Sequence, residues 1–193
     1  MQEYDLIIRN GLVVLEQEIR ETDLAIVGGK IVKIEKDIVA TTKKEINVSN
    51  NYIFPGVIDV HSHFSEPGRE NWEGFSTGSK MMAAGGVTTY FDMPLNGIPS
   101  TVNKEALLKK AEVGQRKSYV DFGLWGGLVP GNIEHLKELA NEGVVGFKAF
   151  LSPTGNKEFE NVDILTLLSG MKEISKLGKV LALHSESAEI TSW

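Results

Sequence analysis

The sequence predicts an α/β protein in which a small antiparallel sheet precedes a parallel sheet built from βα units. Three observations predict it. Short alternating segments joined by Gly28-Gly29 fill the first fifty-odd residues. From Tyr52 onward, apolar runs bounded by glycine alternate with helical patterns, the signature of a parallel sheet. In the last of these patterns Ile164, Leu167, Leu168, Met171 and Ile174 recur at the 3.6-residue period of a helix that covers a sheet.

Taken in order, the first segments are strands at Asp5 to Ile8, Gly11 to Leu15, Asp23 to Val27 and Lys30 to Glu35, the last two joined through the double glycine of a two-residue hairpin. Ile31, Lys33 and Glu35 alternate against Val32 and Ile34, which predicts one buried and one wet face. Five strands follow at Gly56 to Val60, Val87 to Asp92, Val120 to Trp125, Val144 to Phe150 and Lys179 to His184. Helices are expected between them at Glu73 to Ala84, Lys104 to Arg116, Ile133 to Asn141 and Asp163 to Leu177, with Asn132 and Asn161 at N-cap positions. Two architectures accommodate this order. One is the first five units of a (β/α)8 barrel, which needs eight units and typically about 250 residues; the other is a doubly wound open sheet, complete with five strands.

Composition narrows the function classes. The chain has 193 residues, 20 basic and 26 acidic, for a formal net charge of −6, and its cations are scattered singly. Nothing there offers a footprint for a nucleic-acid backbone or an anionic membrane. With no cysteine, disulfides, thiolate catalysis and cysteine-rich zinc modules are excluded. The acidic start, Met1-Gln2-Glu3-Tyr4-Asp5, does not read as a secretory signal, and no apolar stretch approaches the roughly 20 residues of a membrane span, so a cytoplasmic location is the default expectation.

The residues that could carry chemistry sit at strand ends. In Asp59-Val60-His61-Ser62-His63 the two histidines are two residues apart on a strand and point the same way, close enough to hold one metal. The alternative is a pair satisfied by local hydrogen bonds. Lys148 is a lone cation inside the apolar run Gly146-Phe147-Lys148-Ala149-Phe150, so it must reach solvent, pair, lose its proton or be modified. A neutral amine there could react with carbon dioxide to give a carbamate, an anionic oxygen donor that two metals can share. His184 ends the strand Val180-Leu181-Ala182-Leu183, and by itself reads equally well as a core residue. His135, in a charged helical turn, reads as a solvated surface histidine. Gly85-Gly86 and Gly126-Gly127 fall in no phosphate-loop frame, so turns and close packing account for them. The loop from Glu66 to Glu73 follows the histidine pair and suits a substrate-binding lid.

Beyond these local signals, the chain resembles the N-terminal part of the cyclic amidohydrolases, and within them the allantoinases. The resemblance rests on Gly56-Val57-Ile58-Asp59-Val60-His61-Ser62-His63-Phe64, on Glu66-Pro67-Gly68-Arg69 with Trp72-Glu73-Gly74-Phe75, and on Gly85-Gly86-Val87-Thr88-Thr89 leading to Asp92-Met93-Pro94-Leu95-Asn96. It implies a division at residue 52: strands of a composite β-sandwich over 1–52, then over 53–193 the first five units of a metal-dependent (β/α)8 barrel. It further implies that His61 and His63 bind the first of two divalent metals, zinc ahead of manganese, cobalt or iron, that Lys148 bridges both as a carbamate, and that His184 binds the second. Arg69 and Asn96 are the expected substrate contacts. The implied reaction is hydrolysis of the cyclic amide of allantoin to allantoate, in a homotetramer.

Two departures refine the expectation. Dihydroorotase relatives carry an arginine two residues after the second histidine to hold a substrate carboxylate, whereas this chain has Ser65, which favours a ring without a carboxylate. Hydantoinase and dihydropyrimidinase relatives rank second because they lack the Glu-Pro-Gly-Arg and Met-Pro-Leu-Asn combination. The family's proton-shuttling aspartate is expected beyond Trp193, so the catalytic residue is not assigned and the chain reads as part of a longer protein. An open half-barrel would expose apolar strand edges. A catalytically silent scaffold homologue is the remaining alternative.

Overall fold

A computed structural model describes residues 3–191, which form two compact units divided between Pro55 and Gly56. The outer limits of the expected division, residues 1 and 193, lie outside the described residues.

The first unit contains β1 (Glu3–Tyr4), β2 (Leu6–Val14), β3 (Ile19–Val27), β4 (Lys30–Glu35), β5 (Thr41–Thr42), β6 (Glu45–Asn47) and β7 (Tyr52–Ile53). Its main sheet runs β4-β3-β2-β6, with β7 also on β2, and it is mixed rather than antiparallel: β2, β3 and β4 form an antiparallel meander, while β6 and β7 lie parallel to β2. Short parallel pairings after a crossover leave little trace in local sequence. Gly28 and Gly29 both take positive φ, 57° and 74°, as the tight hairpin turn requires.

The two expected strands at Asp5 to Ile8 and Gly11 to Leu15 are one strand interrupted by a bulge between Ile8 and Gly11, where Asn10 has φ 59°. Asp23, buried on β3, holds the bulge. Its carboxylate accepts from the Asn10 N–H at 2.9 Å, the Ile38 N–H at 3.0 Å and the Arg9 guanidinium at 2.8 Å. Burial alone would raise this carboxyl, but the Asn10 N–H, Arg9 and the Ile38 N–H together hold it below the usual range. Tyr4, Ile7, Ala25 and Ile38 form the small core. Neither face of β4 is buried: Ile31 and Val32 are 58% and 49% exposed, because β4 is an edge strand with no second layer over it within this unit.

In the second unit β8 (Val57–Ser62), β9 (Val87–Asp92), β10 (Asp121–Leu124), β11 (Gly126–Gly127), β12 (Phe147–Phe150) and β13 (Leu181–His184) alternate with α1 (Phe75–Ala84), α2 (Lys104–Lys117), α3 (Leu136–Asn141, after a 3-10 turn at Ile133–His135), α4 (Ile164–Lys176) and α5 (Ala188–Thr191). All pairings are parallel and follow chain order, β8-β9-β10 and β11-β12-β13. Only Trp125 separates β10 from β11, and its N–H donates to the Asp92 carbonyl at 3.0 Å, so one segment of chain serves both sheets. A doubly wound sheet reverses its strand order at a switch point. This one does not, which removes the open-sheet alternative.

Alternation along the strands sorts the core into two layers. Phe64, Phe75, Tyr90, Leu124, Phe147 and Ile174 meet on the helix side, whereas Met93, Trp125 and Phe159, with Phe91 and Phe150 against them, fill the other. Gly78 lets α1 approach Phe64, since a Cβ there would lie 2.1 Å from the ring. The stripe on α4 is only half buried: Leu167 and Ile174 face the core, while Ile164, Leu168 and Met171 are exposed. The N-cap of α4 is Asp163, whose carboxylate accepts from the Thr166 N–H at 2.7 Å, and not Asn161 as expected; the helix starts two residues later than the asparagine suggests. Asn132 does precede the 3-10 turn, but its side chain ties the Val129 N–H and the Gly127 carbonyl instead of capping. Val57, Ile58 and Val60 on the outermost strand β8 are more than half exposed.

Candidate functional site

His61, His63 and His184 lie at the C-terminal end of a parallel strand or just past it, where the apolar runs that form the strands end, whereas Lys148 is the second residue of the four-residue β12. His61 is in β8 and His63 one residue beyond it, with their Nε2 atoms 3.3 Å apart. Asp59, two residues back, accepts from the His61 N–H at 3.0 Å and fixes the strand end. Lys148 lies in β12 and His184 ends β13. Phe150 joins the latter two: its ring stacks on His184 at 4.6 Å and lies 5.2 Å from the Lys148 Nζ.

The electrostatics of the cluster are those of crowded cations. Surrounding protein pushes the His61 imidazole below its ordinary value, Lys148 and His184 push the same way, and Asp59 opposes them. For His63 the loss of solvent, followed by the charges of His61, Lys110 and Lys148, brings the value down to about 4. Both imidazoles are therefore neutral at pH 7, with ring nitrogens free to donate a lone pair. Lys148 is only 4% exposed, and among the described residues no acceptor or carboxylate pairs with its ammonium. Burial lowers its pKa. Of the routes open to a lysine in an apolar strand, ion pairing is thus not taken among the described residues.

Among the described residues no three His, Asp or Glu side chains gather closely enough to hold a metal by themselves. The donor set nevertheless fits one. Two neutral imidazoles at contact distance, a third at the end of β13 and a partnerless amine of lowered basicity supply nitrogen donors and, on carboxylation of the amine, the oxygen donor that zinc-type sites accept.

The two expected substrate contacts are placed differently. Asn96, at φ 77°, sets its side-chain amide 3.4 Å from the His63 Nδ1. Arg69 lies in the loop after β8, where its guanidinium stacks over the Trp72 ring at 4.7 Å. His135 is partly exposed in the 3-10 turn, 4.0 Å from the Glu134 carboxylate. Sequence reasoning missed Glu186: one carboxylate oxygen lies 3.4 Å from the His184 Nε2, while the other accepts from the Ser152 hydroxyl at 3.2 Å. Its signal was its position, two residues past a strand-end histidine, the same offset by which Asp59 precedes His61.

The amidohydrolase family profile matches residues 52–190, which is most of the chain and all of this cluster. The chain belongs to the amidohydrolase family. Relatives within reach are more specific in name. An allantoinase of Bacillus velezensis is 53% identical over 97% of the chain, and one of Desulfitobacterium hafniense is 48% identical over 99%. Among solved structures, an L-hydantoinase (dihydropyrimidinase) from Arthrobacter aurescens superimposes with a TM-score of 0.93 at 30% identity over 98% of the chain. A D-hydantoinase follows at a TM-score of 0.82 and 29% identity over 97%. The chain spans only 41–42% of the length of each of these amidohydrolase relatives.

Proposed function

We propose that the protein of which this chain is a part is a metal-dependent hydrolase that opens the hydantoin ring of allantoin to give allantoate. The observation that carries the chemistry is the buried, partnerless Lys148 beside neutral histidines at the ends of parallel strands. The choice of substrate rests on the 53% identity to an allantoinase.

His61 and His63 would hold one divalent metal, zinc first among the candidates, and His184 the second, with Lys148 between them as a carbamate. To form that group, the neutral Nζ lone pair makes a bond to the carbon of carbon dioxide. One C=O π pair moves to oxygen, and the nitrogen releases a proton to solvent. When bound, the metals lower the pKa of a water and polarise the ring carbonyl. The chain's own residues keep His61 and His63 neutral and orient all three imidazoles. Asp59 fixes the backbone of His61, the Asn96 amide stands against the Nδ1 of His63, and Glu186 against the Nε2 of His184. Turning the Asn96 amide oxygen toward the Nδ1 of His63 would hold the proton there and leave Nε2 free for metal. Arg69, stacked on Trp72, is placed in a loop that could present it to the ureido oxygen of the substrate. In this reading 53–193 is the first part of a (β/α)8 barrel, 1–52 contributes to a composite β-sandwich, and the protein works in the cytoplasm as a homotetramer.

Hydantoin and dihydropyrimidine rings are the second reading, favoured by the TM-score of 0.93 to a hydantoinase. Assaying the whole protein, loaded with zinc and bicarbonate, on allantoin, hydantoin and dihydrouracil separates the two. Turnover of allantoin alone supports the first reading, and preference for either unsubstituted ring replaces it with the second. Lys148→Ala is expected to abolish turnover, with partial recovery on adding a short carboxylate such as propionate. Full activity of the variant without that addition would remove the carbamate from the proposal.

A further inference from the structure

The second buried lysine of the sequence, Lys110, and the carboxylate it meets are not among the residues proposed above to hold metal or substrate. Lys110 is 1% exposed and Asp92 wholly buried, and their charged atoms are 2.5 Å apart. The contacts they make converge on one place. The other Asp92 oxygen accepts from the Phe64 N–H at 2.6 Å. The Lys110 Nζ also donates to the Met93 carbonyl at 2.8 Å. Met93 in turn donates its N–H to the Ser62 carbonyl at 2.8 Å, and the Ser62 hydroxyl reaches the Phe91 carbonyl at 3.2 Å. Ser62 and Phe64 are the two chain neighbours of His63. The register of β8 on β9 is broken between Asp59 and Ser62, so ordinary ladder bonds do not run through this stretch.

From this geometry we infer that Asp92 and Lys110 are positioning residues for His63: the pair holds the backbone directly at Phe64 on one side of the histidine and, through Met93, at Ser62 on the other, and so sets where its imidazole stands. The inference rests on the reading of His63 as a metal ligand. A buried ion pair is a poor device for stability alone, since its desolvation offsets most of its attraction and an apolar pair of similar volume serves the core as well. What it supplies here is direction. The carboxylate must point at one amide, just past the strand that carries His61 and leads to His63, and the ammonium at one carbonyl, just past its neighbour β9. Groups that orient a ligand from behind typically change metal affinity 10- to 100-fold when removed.

The test uses the full protein, metal-free and then titrated with cobalt(II), in wild type, His63→Ala and the double variant Asp92→Asn/Lys110→Met, which removes the pair without stranding one charge. Circular dichroism and thermal unfolding report the fold, and amide exchange of Phe64 in the metal-free protein reports the clamp. The visible absorption of cobalt reports the site. The double variant is expected to stay folded, to exchange the Phe64 amide at least tenfold faster, and to bind cobalt roughly 10- to 100-fold more weakly with an altered band. Asp92→Glu keeps the charge and displaces the carboxylate by one methylene; if the double variant does not fold, it is expected to show both changes to a smaller degree. Unchanged cobalt affinity in a folded double variant, or in Asp92→Glu, while His63→Ala loses cobalt, overturns the positioning role alone. Equal binding by wild type and His63→Ala overturns the metal site itself, and the positioning role with it.

Discussion

Two buried lysines in this chain carry opposite expectations for the same substitution. Lys110 is 1% exposed and ion-paired to Asp92, and Lys148 is 4% exposed with no acceptor among the described residues. Replacing Lys110 by methionine, nearly isosteric, leaves the Asp92 carboxylate buried without its cation. Breaking a buried pair from one side costs about 3 to 5 kcal/mol. Replacing Lys148 by methionine removes a desolvated amine that has no ion pair or hydrogen bond among the described residues and exchanges its contact with the Phe150 ring, whose centroid lies 5.2 Å from the lysine Nζ, for that of a thioether. That exchange is expected to leave stability unchanged or raise it by about 1 to 3 kcal/mol, the range seen when buried charge gives way to apolar volume. The assay is urea unfolding of metal-free, carbon dioxide-depleted protein at pH 7, followed by tryptophan fluorescence and by circular dichroism. A loss above about 1 kcal/mol in Lys148→Met would mean that the amine has a stabilising partner after all, and would refute the reasoning that keeps it in place for chemistry. Equal losses in the two variants would do the same.

Other expectations follow from the same contacts. Asp23→Ala strands the amides of Asn10 and Ile38, while Arg9 keeps Glu45 at 2.9 Å, and should cost about 1 to 3 kcal/mol, read as faster exchange of those two amides. Because the folded carboxyl of Asp23 lies below its unfolded value, its contribution is complete above the unfolded pKa of about 3.9 and is lost as pH falls through the lower folded value. An acid titration of wild type against Asp23→Asn, whose curve should be flatter there, checks the sign. Gly78→Ala forces a methyl into the Phe64 ring and should destabilise by about 1 to 3 kcal/mol in thermal unfolding; a neutral result would mean that α1 can move away freely.

The helices and the strands of the second unit were legible because each carries its own period: the bounds of β9 agree with the sequence, and those of α2 differ by one residue. The histidines and Lys148 were legible for a related reason, being polar residues that interrupt or end apolar runs. What local pattern could not convey is pairing at a distance. Nothing near Leu6 announces that β6 and β7 will lie parallel to β2, and the bulge at Asn10 depends on a carboxylate 13 residues away. Lys110 shows the same limit from the other side. It falls on the buried stripe of α2 with Ala106, Leu107 and Gly114, which could have marked it, but its meaning depends on Asp92 across the sheet. Asn161 misled because asparagine and aspartate are both good caps, and only the onset of helical backbone chooses between them.

The division at Trp125 bears on how such a centre changes over time. His61 and His63 hang from one three-stranded sheet, and Lys148 and His184 from the other. Trp125 stands at the join, its backbone on Asp92 and its indole N–H on the Val60 carbonyl at 3.1 Å. The two halves of the proposed donor set are thus joined in part through Trp125, with the Val145 N–H on the Leu124 carbonyl at 2.9 Å as a second tie. A lineage that altered the bulk or the hydrogen bond of that indole could retune the spacing of the proposed donors without replacing one of them.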